Sequence, residues 1–165
     1  MKDACTKIQC LKDTFDTAKE ICKLVKKSPQ WETYLRKLRI QSGNKEKSVH
    51  AFCPTRWTVR GTTLASIIDN HNELMSLWEH SLPITNDTKM KGRIIGAQTN
   101  MKKFSFLFGS LLDEKVLMQT DNLSRSLQSP ELSAIEAHQL AEAVIGSLQQ
   151  ERNEATFNSF WDTVV

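Results

Sequence analysis

In every long segment of this chain apolar side chains recur at alternating steps of three and four residues, the period that stacks them along one face of a helix. In IQCLKDTFDTAKEICKLV the stripe is Ile8, Leu11, Phe15, Ala18, Cys22 and Val25. A strand pair needs apolar and polar residues in strict alternation, and no segment supplies it. The pattern predicts an all-α fold of six or seven helices, a single domain over residues 1–165 with no sheet and no fixed-length repeat.

Punctuation along the chain divides that pattern. Ser28 and Pro29 predict an N-cap and first helical residue, after which Trp31, Leu35 and Leu38 share a face. The polar stretch QSGNKEKS ends this helix at Gly43, and residues 43–56 read as a loop in which Pro54 biases Cys53 away from helical geometry. One helix is then expected from Trp57 to Leu82, with Leu64, Ile67 or Ile68, Leu74 and Leu77 or Trp78 inward and Pro83 closing it. From Asp87 a new stripe runs through Met90, Ile94, Ala97, Met101, Phe104, Phe108 and Leu111, with a break expected near FGSL at 108–111, and resumes at Val116, Leu117, Leu123 and Leu127. Ser129 and Pro130 mark a stop, Ser133 with Glu136 has the spacing of a capping box, and Leu140, Val144, Ile145 and Leu148 follow. EATFNSFWDTV makes a last short helix carrying Phe157, Phe160 and Trp161.

Charge is unevenly placed. Residues 1–112 hold 19 Lys and Arg against 10 Asp and Glu, and residues 113–165 hold 3 against 9, so a net charge of only +3 hides a basic part and an acidic part. Such polarity orients a chain toward a polyanion, although solvated helix faces account for most charge of this kind. No apolar run reaches the roughly 18 residues of a membrane span, and MKDACTKIQC lacks a signal-peptide centre, so an intracellular chain without a membrane partner is expected. Cys5, Cys10, Cys22 and Cys53 fall at no C-x-x-C spacing and read as free thiols.

Catalytic patterns are missing. His50, His71, His80 and His138 form no H-E-x-x-H, and His50 with Cys53 is a single H-x-x-C without a second ligand pair. His71 lies beside an apolar stripe and reads as a satisfied, partly buried residue. Gly92 and Gly96 sit within a helical pattern and make no phosphate loop, and Asp13 and Asp16 share a helix face with the character of solubilising carboxylates.

The exception is CPTRW, residues 53–57, with Arg60 three residues on. A Trp ring stacks on an unpaired base of any identity, and Arg side chains hold phosphates as forks. Trp57, Arg56 and Arg60 are therefore the DNA-contact candidates. The alternative is structural: Trp57 as an aromatic anchor of the loop, with Arg56 on exposed carbonyls.

Cys53, Thr55, Arg56 and Trp57, followed in order by DNHNELMSLWEHSL (69–82), FSFLFGSLLDEKVLMQTDNLSRSLQS (104–129) and LQQERNEATFNSFWD (148–162), give a sequence that resembles the hAT-superfamily DNA transposases and host proteins derived from them, the group that includes zinc finger MYM-type protein 1-like proteins. The likeness runs through nearly the whole chain. It implies a helical insertion within an RNase H-like fold whose two Asp and one Glu bind divalent metal. The R-W box lies near the start of that insertion, where the matching Trp meets an unstacked base, the role Trp57 would inherit. Because Cys5 has no His three residues on, the resemblance places the chain after the second Asp and its C-x-x-H motif and before the Glu. It thus implies a non-catalytic fragment with no cofactor and no metal ligand, a nuclear location, and DNA or the remainder of a transposase-like protein as partner. A domesticated helical module that binds proteins, and a portion of an active transposase completed by flanking sequence, are the alternatives.

Overall fold

Ser28 leads with extended backbone (φ −127°, ψ 117°) into a helix that opens on Pro29, so the first turn starts where a missing N–H leaves no vacant partner. The computed structural model describes residues 9–43, 49 and 60–164. Among them are eight helices and no strand: α1 Gln9–Lys27, α2 Pro29–Gln41, α3 Arg60–Asp69, α4 His71–Ile84, α5 Thr88–Met101, α6 Phe104–Ser126, α7 Ala134–Gln150 and α8 Glu154–Val164. The all-α expectation holds for these residues. As expected, α2 stops before Gly43, which lies just past the Ser42 cap and whose φ of +70° is the left-handed conformation glycine adopts at low cost.

Two boundaries differ from the sequence reading. The helix expected over residues 57–82 is divided at Asn70, and this division accounts for the eighth helix. Asn70 is fully buried, and its Nδ2 donates to the Ser66 carbonyl at 2.6 Å, taking the acceptor that the next backbone N–H of the ladder would use. Its own carbonyl then accepts from Leu74 N–H at 2.9 Å and starts α4, which includes Pro83 in its last turn and ends one residue later. The second break falls at Lys102–Lys103, and α6 runs unbroken through FGSL.

That earlier break resets the helical phase. The face of α6 that is buried consists of Phe106, Gly109, Ser110, Asp113, Leu117, Thr120 and Asp121, while Phe104 is exposed and Phe108 and Leu111 are half-buried. Other caps follow expectation: Asp87 accepts from Lys89 N–H at 2.9 Å, and Ser133 and Glu136 form a reciprocal capping box at the start of α7.

The core lies among α1 to α6, around Ile21, Leu24, Leu64, Ile67, Leu74, Leu77, Trp78, Ile94 and Leu117. Trp31 of α2 meets Trp78 of α4 edge-on at 6.1 Å. The α3–α6 contact is the most extensive between helices, with α1–α6 next. Gly109 permits the second of these, because a Cβ there would overlap Thr14 Oγ1 and come within 3.5 Å of Cys10 Sγ. Thr14 is buried and its hydroxyl is committed to the Cys10 carbonyl at 2.9 Å, so it has little room to yield. Gly109→Ala should therefore destabilise the fold by about 1–3 kcal/mol, through overpacking that outweighs the gain in helix propensity. Urea unfolding of the variant checks this, and an unchanged midpoint would show that α1 and α6 separate freely.

Among the described helices, α7 and α8 pack on α6 alone. Phe108 touches Phe160 and Trp161 at ring distances of 5.5 and 6.1 Å, and Phe104 meets Trp161 at 5.6 Å. The expected packing of Phe160 and Trp161 is present but shallow, since Phe157 and Trp161 remain exposed and no residue of α7 is buried.

Candidate nucleic-acid interface

Of the three DNA-contact candidates, Arg60 is described, and Arg56 and Trp57 lie outside the described residues together with His50, Cys53 and Cys5. Arg60 opens α3 and is half-buried. Its guanidinium carbon stands 5.3 Å from the centre of the Phe15 ring on α1, a cation–π contact that spans 45 residues of sequence. The same charge acts on Asp113 of α6. Burial pushes the Asp113 carboxyl up to about 7 from its ordinary 3.8, and Arg60 opposes that rise.

One residue on, Gly61 is buried against α6, where an added Cβ would lie 3.4 Å from both Asp121 Oδ2 and Leu117 Cβ. Its backbone N–H donates to the Asp121 carboxylate, a hydrogen bond that opposes the effect of burial on that group. A carboxylate at the first turn of a helix satisfies an orphan donor and complements the helix dipole. Asp121 of α6 thus faces the described start of α3. Burial also raises the Glu114 carboxyl, assisted by the nearby charge of Asp69.

Sequence reasoning found Arg60 and placed Phe15 on the buried stripe, but missed the contact between them and missed Gly61, Asp113 and Asp121. The available signal was the polar run Ser110, Asp113, Asp121 at helical spacing around the buried Leu117. The stripe expectation, continued from α5, assigned the inward face to Phe104, Phe108 and Leu111 instead.

A concavity of about 730 Å³ lies between α1, α5 and the start of α6. Asp13, Asp16 and Glu20 of α1 line it opposite Arg93, Asn100 and Lys103, and Arg93 Nε pairs with Glu20 Oε1 at 2.5 Å. Among the described residues no group of three or more His, Cys, Asp or Glu is arranged to hold a metal ion. His71 Nε2 lies 3.3 Å from the Met101 carbonyl, which gives that ring a partner inside the bundle. Burial together with Asp113 and Asp13 pushes the Cys10 thiol up, which keeps it protonated. No helix among the described residues is long and apolar enough to cross a membrane.

Searches against known proteins found no family model that matches the chain and no solved structure that matches it.

Proposed function

We propose that this chain is a non-catalytic helical module of hAT transposase-like descent, resembling the insertion within the RNase H-like fold of those enzymes, and that it contacts DNA through the CPTRW box. The observation that carries the reading is the box itself: Cys53, Thr55, Arg56 and Trp57 directly precede a helix and are followed in order by three further stretches of family likeness. The seating of α3 supports it. With Arg60 over Phe15 and Gly61 N–H on Asp121, the helix that follows the box has a fixed first turn from which neighbouring side chains can be presented. In this reading Arg56 is the phosphate contact and Trp57 the base-stacking residue, while Arg60 divides its charge between Asp113 and any nearby phosphate. A nuclear location follows from a DNA partner.

Trp57→Ala should weaken single-stranded DNA binding by about 1–3 kcal/mol and leave the melting temperature nearly unchanged. A core anchor would instead cost about 3–5 kcal/mol of stability. Binding titrations and thermal melts on this one variant separate the two roles. A large loss of stability with unaltered DNA binding by the folded fraction would give the box a purely structural explanation.

A second reading, a domesticated module that captures proteins, is favoured by the apolar side chains left exposed on α7 and α8: Ile135 at 72%, Ile145 at 54% and Phe157 at 52%. Salt-insensitive capture of a protein partner would support it over the first. Mg²⁺-dependent cleavage after completion by flanking sequence would support a place in an active transposase.

A further inference from the structure

Four of the five lysines of helix α1 share one strip of its surface, and the fifth, Lys27, falls among the carboxylates. At 100° per residue, Lys12, Lys19, Lys23 and Lys26 fall within an arc of about 60°, and the carboxylates Asp13, Asp16 and Glu20 follow on the flank away from the buried Phe15. The carboxylates line the concavity shared with α5, where Glu20 is engaged by Arg93. The lysines occupy the other flank: Lys12, Lys23 and Lys26 are exposed, Lys19 is half-buried, and none of the four pairs with a described carboxylate. Lys12 and Lys19 stand three residues before and four residues after Phe15, so they neighbour the ring on which Arg60 rests. The lysine row therefore borders the start of α3.

We infer that Lys12, Lys19, Lys23 and Lys26 form a contact surface for the phosphate backbone of a nucleic acid. This deepens the proposed DNA-binding reading by adding a described surface to the box and naming the chemistry that it meets. Four ammonium groups spread over about 21 Å of helix match roughly six nucleotide steps along one DNA strand at 3.4 Å per step. A lipid surface fits less well, because a membrane-lying helix must offer its apolar face, and Leu11, Phe15, Ala18, Ile21, Cys22, Leu24 and Val25 are all buried in the core. An acidic protein fits less well, because interfaces of that kind centre on aromatic or Arg anchors, and the strip of four lysines, bordered by Asp16 and Glu20, holds neither.

The test uses the full chain and a labelled mixed-sequence single strand, with affinity measured between about 50 and 200 mM salt. Changing all four lysines to Gln preserves helix propensity, and an unchanged melting curve verifies the fold. The slope of log affinity against log salt should fall in magnitude by about 3, with affinity near 0.1 M salt lower by two to three orders of magnitude, as four lost phosphate contacts require. Lys→Arg at the same positions should restore both. An equal-charge control, Lys89, Lys91, Lys102 and Lys103 to Gln, should lose far less. An unchanged slope in the row variant, an equal loss in the control, equally salt-steep binding of wild type to polyglutamate, or no binding of the strand by wild type would each overturn the inference. Trp57→Ala reports on the box separately. If it leaves affinity intact while the row variant loses it, the box reading fails and the lysine surface stands; the reverse result sinks the lysine surface alone.

Discussion

Trp78→Ala should lower the free energy of unfolding by about 3–5 kcal/mol, the cost of emptying a large buried site that its neighbours only partly refill. Trp78 is fully buried, its ring is met edge-on by Trp31 at 6.1 Å, and its Nε1–H is directed at Met101 Sδ at 3.3 Å. It therefore joins α2, α4 and the end of α5. For a domain of this size the loss corresponds to a drop of roughly 10 °C in melting temperature. Trp161→Ala is the comparison, because that ring is 41% exposed and packs mainly on Phe104, Phe108 and Phe157. Calorimetry on the two variants should rank them far apart, and equal losses would mean that the aromatic cluster of α8 contributes as much as the core.

Stability should fall as pH rises from about 4 to about 7, with Asp113 the main cause. Its carboxyl is pushed by burial from 3.8 to about 7, so across that window the folded chain keeps a proton that the unfolded chain has released. The unfolded state then binds fewer protons, and the free energy of unfolding decreases with pH until the folded group has also ionised. A displacement of this size corresponds to on the order of 4 kcal/mol, net of the attraction of Arg60. Asp121 and Glu114 are raised by burial too and act in the same direction. Asp113→Asn keeps the shape of the side chain and removes its ionisation. The variant should match wild type near pH 3, where Asp113 is protonated in both states, exceed it clearly near pH 8, and retain only the shallower dependence of the other two groups. Urea midpoints at both pH values check this; coincident midpoints near pH 8 would show that Asp113 ionises without penalty.

The helical content was legible because a repeat of three and four apolar steps admits no sheet, and Pro29, Gly43, Asp87 and Ser133 each stand at a boundary for a local reason. Where the reading failed, the cause was tertiary. Asn70 interrupts a helical pattern by turning its side chain onto the Ser66 carbonyl, and it is retained there because the surrounding bundle buries it. On α6, hydrophobicity pointed to Phe104 and Phe108, yet the inward face carries Ser110, Asp113 and Asp121, drawn in by the Arg60 charge and the Gly61 N–H of a helix about 50 residues earlier. Arg60 was identifiable from its place beside the box, whereas its aromatic partner Phe15 was not, since nothing local to either residue encodes their meeting.

The absence of any buried residue in α7 has a consequence for how the molecule comes apart. Its attachment to α6 includes the Gln119–Glu151 hydrogen bond and the Lys115–Glu151 ion pair at its end, together with half-covered side chains along its length. Such contacts resist opening weakly, and regions held by them open at free energies below that of the whole domain. The chain is therefore layered in its cooperativity. Amide protons of α7 exchange through a detachment that leaves α1 to α6 closed, and those of α3 and α4 exchange only when the core itself is lost.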